Sequence, residues 1–123
     1  DLDGAFREAI RGRANAVIII NTTPVFPFRK KITDLAIKNR LPLLAEASNW
    51  VDDGGLMSYA ANDAESYRRL ATYVDKILKG AKPSDLPVEQ PTKFELVINL
   101  KTAKRIGVTV PRSVLNQADK LIE

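Results

Sequence analysis

Apolar positions in this chain fall into two alternating rhythms. Residues Leu2 to Arg13 carry Phe6, Ala9 and Ile10 on one helical face. Ala16-Val17-Ile18-Ile19-Ile20 is then continuously apolar and β-branched, the pattern of a strand buried on both faces of a parallel sheet. Asn21-Thr22-Thr23-Pro24 ends it. Phe28 to Asn39 predicts a second helix with Ile32, Leu35 and Ala36 inward, and Arg40-Leu41-Pro42 breaks it. Leu43-Leu44-Ala45 reads as a second short buried strand. This β-α-β order calls for a right-handed crossover.

Glu46 to Gly55 reads as a loop carrying Trp50, Asp52 and Asp53, and Leu56 to Ala60 as a third strand opened by Gly54-Gly55. Asn62 and Glu65 stand three apart, as an N-cap and its capping-box partner do. The following helix, Ala64 to Lys79, carries a wide apolar stripe of Tyr67, Leu70, Ala71, Val74, Ile77 and Leu78. Gly80 fits the C′ position that stops it. Pro83, Pro87 and Pro91 make Ala81 to Lys93 an extended connector that cannot be a central strand. Phe94 to Ile98 reads as a fourth strand. Asn99 caps a short helix that stops at Gly107, and Pro111 at an N1 position starts a last helix through Ile122.

The 123 residues suffice for one ordinary core, and 45% hydrophobic with 28% charged residues suits a globular chain. No apolar run approaches the roughly 18 residues of a membrane span. Asp1 leads directly into helical sequence without an initiator Met, which reads as a cut through a longer protein. The net charge of +4 is spread over scattered basic residues with no aromatic-basic motif, which argues for a solvated surface and against a nucleic-acid partner. The chain has neither Cys nor His. That removes thiol and imidazole catalysis, disulfides and zinc-type sites.

Ligands of open α/β sheets bind beyond the carboxyl ends of the strands. Three such ends are readable: Asn21-Thr22-Thr23-Pro24, Glu46-Ala47-Ser48-Asn49 and Ser58-Tyr59-Ala60-Ala61-Asn62. Their short hydroxyl and amide groups suit a small polar ligand, with Tyr59 or Trp50 offering an apolar face. The same groups equally serve as caps and turn formers. Trp50 is either an anchor at the cleft or a lid over apolar loop surface. Asp52-Asp53 is the tight acidic pair, and adjacency in a Gly-rich turn points its carboxylates apart. Gly54-Gly55 lacks the phosphate-loop pattern and precedes a strand rather than a helix. Tyr67 and Tyr73 read as packing positions. No nucleophile-base pair is marked, and no metal or cofactor is called for, so the residues argue for binding rather than catalysis.

Three segments carry a resemblance: Gly54-Gly55-Leu56-Met57-Ser58-Tyr59, Tyr73 to Pro83, and Leu86-Pro87-Val88-Glu89-Gln90-Pro91-Thr92 with the strand and the Asn99-Leu100-Lys101-Thr102-Ala103 turn after it. Together they are similar to the C-terminal part of ABC transporter substrate-binding proteins of the tryptophan/tyrosine-binder type. The resemblance implies an α/β fold, a parallel-type sheet with flanking helices like the second lobe and crossover segments of a type I periplasmic binding protein. It implies that residues 1–53 and 94–123 are second-lobe-like and that 56–80 belong to the first lobe. It places ligand contacts at Thr22, Thr23, Glu46, Ala47, Ser48, Tyr59 and Ala60. Its implied partners are a small polar solute such as an amino acid and the membrane subunits of an ABC permease, in a periplasmic or extracytoplasmic location. The chain departs from the family pattern at Ala60, where Gly is frequent, and at Thr22-Thr23-Pro24, where an acidic or amide-bearing loop is usual. The effector-binding domain of a transcription regulator of similar fold is the alternative. With no first lobe present, the Ala64–Lys79 helix would show its stripe to water, and a homodimer through that helix is expected.

Overall fold

The computed structural model describes residues 1–20 and 23–123, with Asp63 described by its backbone alone. Among these, the elements run α1 (Leu2–Arg11), β1 (Val17–Ile19), a 3₁₀ turn (Phe26–Phe28), α2 (Arg29–Lys38), β2 (Leu43–Ala45), α3 (Ser48–Asp52), β3 (Met57–Ala61), α4 (Asp63–Leu78), a 3₁₀ turn (Pro83–Asp85), β4 (Phe94–Asn99), α5 (Leu100–Ile106), α6 (Arg112–Leu115) and β5 (Lys120–Ile122). The chain divides into two units: Asp1–Ala60 with Glu95–Glu123, and Ala61–Phe94.

The five described strands form one sheet in chain order, β1-β2-β3-β4-β5. β1 pairs with β2, β2 with β3, and β4 with β5, all parallel. The Asn99 N–H donates to the Leu56 carbonyl and the Asn62 N–H to that of Lys93. One partner number rises as the other falls, so β3 and β4 run antiparallel. The sheet is therefore mostly parallel with helices against it, the α/β architecture that the periodicity predicts.

In the larger unit, α1 and α2 cover one sheet face. Phe6, Ile32 and Ala36 close on Leu43 and Ala45, with Val17 and Ile19 at the margin. A second cluster joins Leu56, Ala103 and Ile106, flanked by Ile37 and Met57. β1 is not buried on both faces as its composition suggests. It lies at the sheet edge, and Ile18 and Ile20 each remain 71% exposed. The continuous apolar run marks two faces fit for burial, and only one is covered by described residues. Ile10, expected inward on α1, is also exposed.

Two further expectations give way. The segment read as a loop, Glu46 to Gly55, contains α3. The last helix does not reach Ile122: α6 stops at Leu115, and Lys120–Ile122 pairs with β4. Asp119 makes that switch, because its N–H donates to the Leu96 carbonyl at 2.9 Å and its carboxylate accepts the Leu96 N–H at 2.8 Å. A sheet edge outbids intrinsic helix preference there. Pro111 is accordingly the N-cap rather than N1.

The predicted caps hold. The Asn62 side chain accepts from the Glu65 N–H at 3.0 Å to start α4, and the Asn99 side chain accepts from the Thr102 N–H at 2.9 Å to start α5. Gly107 ends α5 at φ +77°, a left-handed conformation suited to glycine.

Candidate functional site

Register decides which loops share a rim. Ile19 stands opposite Ala45, and Ala45 opposite Ser58. One residue further along these parallel strands come Ile20, Glu46 and Tyr59, on strands about 4.8 Å apart. Glu46 is exposed at the end of β2, and Tyr59 is 60% exposed on β3 while its neighbour Ser58 is buried. Ala47 is half-buried, Ser48 exposed, Ala60 half-buried and Thr23 exposed in the turn after β1. Thr22, with Asn21, lies outside the described residues. The structure thus brings Glu46, Ala47, Ser48, Tyr59 and Ala60 to one edge. The carboxylate of Glu46 and the aromatic ring of Tyr59 stand on neighbouring strands here, and Ser48 follows two residues after Glu46 at the start of α3.

Trp50 is neither a cleft anchor nor a lid. It is 0% exposed and joins the core of Phe6, Ile32, Ala36, Leu41, Leu43 and Ala45. Among the described residues, its indole N–H and the Asn49 side-chain oxygen are buried without a hydrogen-bond partner. The two aspartates diverge: the Asp53 carboxylate pairs with Arg29, which also stacks on Phe26, and Asp52 lies 3.7 Å from Lys120. Charge pairing occupies both, and they form no joint site.

Sequence reasoning missed the polar side chains that hold the end of α3. Asn99 Nδ2 donates to the Val51 carbonyl at 3.0 Å, Thr33 Oγ1 to the Asp53 carbonyl at 2.9 Å, and Thr102 Oγ1 to the Gly54 carbonyl at 3.0 Å. All three residues are buried. A faint signal existed: Thr33 interrupts the apolar face beside Ile32, and Thr102 follows the Asn99 cap by three.

The unit Ala61–Phe94 has its own groove of about 500 Å³ between α4 and the proline connector, lined by Leu70, Tyr73, Ile77, Leu86, Pro87 and Val88 among others. Tyr73 donates its phenol proton to the Pro87 carbonyl, and Arg69 pairs with Glu89 at 3.2 Å. Partial desolvation under the connector, reinforced by the Glu89 carboxylate, raises the Tyr73 pKa. Tyr67, expected to pack, is exposed, and Leu78 is 82% exposed. Among the described residues no cluster of carboxylates could hold a metal ion, and no helix is long and apolar enough to cross a membrane.

The sequence profile of the ABC transporter substrate binding protein family matches residues 1–122. No curated protein matches the chain. Among solved structures, a conserved domain protein from Vibrio cholerae superposes with a TM-score of 0.86 at 26% identity, over 98% of this chain and 40% of that one. An ABC domain from Streptococcus pneumonia in complex with L-tryptophan gives 0.80 at 29% identity, over 93% and 40%. A ligand-free, open substrate-binding protein with adhesive properties from Clostridium difficile shares the fold, at 0.72 and 19% identity, over 100% and 41%. The chain therefore spans about two fifths of the length of these proteins.

Proposed function

Because the chain belongs to the ABC transporter substrate-binding protein family, we propose that it is part of the solute-capturing component of an ABC-type importer. In this reading the protein holds a small polar solute such as an amino acid in a cleft between two lobes and hands it to the membrane permease. It works outside the cytoplasm, in the periplasm or its equivalent, and carries out no reaction. The observation that carries the reading is the rim on which Glu46 and Tyr59 stand in register, one residue past Ala45 and Ser58. A carboxylate suits an ammonium group, and an aromatic face suits an apolar side chain. A relative 29% identical binds L-tryptophan, so an aromatic amino acid heads the list of solutes. Thr22, Thr23, Ala47, Ser48 and Ala60 complete the contacts.

The lobe assignment follows the same reading. Residues 1–53 and 94–123 belong to the second lobe, and 56–80 lead back to the first, with β3 still paired to β2 and the departure falling after Ala60. The separation of Ala61–Phe94 as a unit supports it, as does the open stripe of Tyr67, Leu70, Val74, Ile77 and Leu78. Burying each such side chain is worth about 1.5–3 kcal/mol. The 123-residue chain alone is accordingly expected to pair through α4. A monomer mass that does not change with concentration in sedimentation experiments would count against this pairing.

A thermal-shift screen of the full-length protein against L-tryptophan, other amino acids, nucleosides and small organic acids tests the function. A solute at a hundred times its Kd stabilises the folded state by about 2.7 kcal/mol. The reading requires a hit that is lost in Tyr59→Ala and weakened in Glu46→Gln. A hit indifferent to both changes would place the site elsewhere, and no hit at all would remove the importer role.

A further inference from the structure

The rim residues Glu46, Ala47 and Ser48 lead directly into α3, a helix of five residues. A helix this short has no stability of its own. Its N-cap, Ala47, offers no side-chain bond, and among the described residues Asn49 Oδ1 and Trp50 Nε1 are buried without a partner. Apolar burial of Trp50 and Val51 draws α3 inward but does not set its position along its axis, since hydrophobic attraction is non-directional. Directional contacts must do that.

They sit at the far end of α3. The Val51, Asp53 and Gly54 carbonyls each receive one side-chain donor, and the donors come from separate places: Thr33 on α2, Asn99 at the end of β4, and Thr102 on α5. The donors are themselves fixed. The Asn99 side-chain oxygen already accepts the Thr102 N–H, so its amide can turn only one way, with Nδ2 on the Val51 carbonyl. The Thr33 hydroxyl has one proton, shared between the Lys30 and Asp53 carbonyls. The turn takes a path that only glycine fits, because Gly54 has φ +114° and a Cβ there would meet Ile37 Cδ1 at 3.1 Å. Arg29 pins the Asp53 side chain. At about 1.5 Å of rise per residue, α3 carries this register only about 6 Å to Ser48.

We propose that Asn99, Thr33 and Thr102 are positioning residues, a three-point clamp that acts through α3 to hold Glu46, Ala47 and Ser48 in the geometry a solute meets. Its functional half rests on the assignment of the rim as the binding edge. The clamp itself is a claim about α3 and can be tested without a solute.

The test compares Thr102→Val, Thr33→Val and Asn99→Asp with the rescue variants Thr102→Ser and Thr33→Ser in the full-length protein. The Val changes keep shape and remove the donor. Asp keeps the α5 cap acceptor and loses the donor to Val51. The first readout is amide hydrogen exchange over residues 46–53. Each clamp variant should speed it about five- to ten-fold, the factor one buried hydrogen bond is worth, and each Ser variant should restore it. The second readout is the Kd of L-tryptophan, or of another solute whose binding needs Tyr59, measured where every variant is fully folded. It should weaken by a similar factor and recover in the Ser variants. Unchanged exchange refutes the clamp. Faster exchange with unchanged Kd refutes the positioning role and leaves a structural one. If no solute binds the wild type, the importer reading fails and with it the functional half, while exchange still decides whether the clamp exists.

Discussion

Trp50 offers the sharpest test of how the centre of this molecule is built. Its ring is fully buried among Phe6, Ile32, Ala36, Leu41, Leu43 and Ala45, yet its indole N–H has no hydrogen-bond partner among the described residues. Replacing a core aromatic by Ala costs about 3–5 kcal/mol through lost contacts and the cavity left behind. Relief of an unsatisfied N–H returns about 1–3 kcal/mol. At the middle of these ranges Trp50→Ala therefore nets about 2 kcal/mol, a large part of a total stability of about 5–15 kcal/mol. Trp50→Phe keeps a ring in the same space and loses about 1–2 kcal/mol of contact, while it gains the same relief. The two terms nearly cancel, and the net change falls within about 1 kcal/mol of zero. At roughly 4 °C per kcal/mol for a chain of this size, the Phe variant should melt within about 4 °C of wild type and the Ala variant about 8 °C below it. Melting followed by far-UV circular dichroism reads both. A Phe variant as damaged as the Ala variant would show the indole N–H to be bonded after all, and two neutral variants would remove Trp50 from the core.

Gly54→Ala should cost about 1–3 kcal/mol, because φ is +114° and the new Cβ meets Ile37 at 3.1 Å, whereas Gly107→Ala faces open space at φ +77° and should cost about 1 kcal/mol; urea midpoints order the two. Asp119→Ala removes the acceptor for the Leu96 N–H and should cost about 0.5–1.5 kcal/mol, with faster hydrogen exchange at 120–122 and unchanged protection in α5. The Asp3 carboxyl is held below its ordinary value of 3.8, first by its hydrogen bond to Lys31 and then by that ammonium's charge. A depressed folded pKa contributes stability above the unfolded value and loses it as pH falls through the folded one. Lys31→Met should thus raise the Asp3 pKa towards 3.8 and remove that part of the acid dependence, as followed by carboxyl NMR titration.

Much of the frame was legible locally because its causes are local. Asn62 and Asn99 announce helix starts since their side chains bond an N–H three residues on. Gly107 announces an end since its backbone turns left-handed. The β-branched run at Val17–Ile19 and the run at Leu43–Ala45 announce neighbouring parallel strands, and with them the edge where Glu46 and Tyr59 come together. The run could not say that Ile18 and Ile20 would lie open, because coverage of the second face depends on what else packs there.

The sequence by itself determined the alternation of helix and strand, the capped ends and the family, since these rest on periodicity, short-range hydrogen bonds and local motifs. Tertiary structure alone decided the rest. It made Lys120–Ile122 a strand because the Leu96 backbone and Asp119 complete each other's hydrogen bonds across 23 residues. It folded Ser48–Asp52 into a helix because Trp50 and Val51 find a core and three distant donors find the carbonyls at its end. Those partners lie 20 to 48 residues away along the chain, beyond the reach of any local pattern.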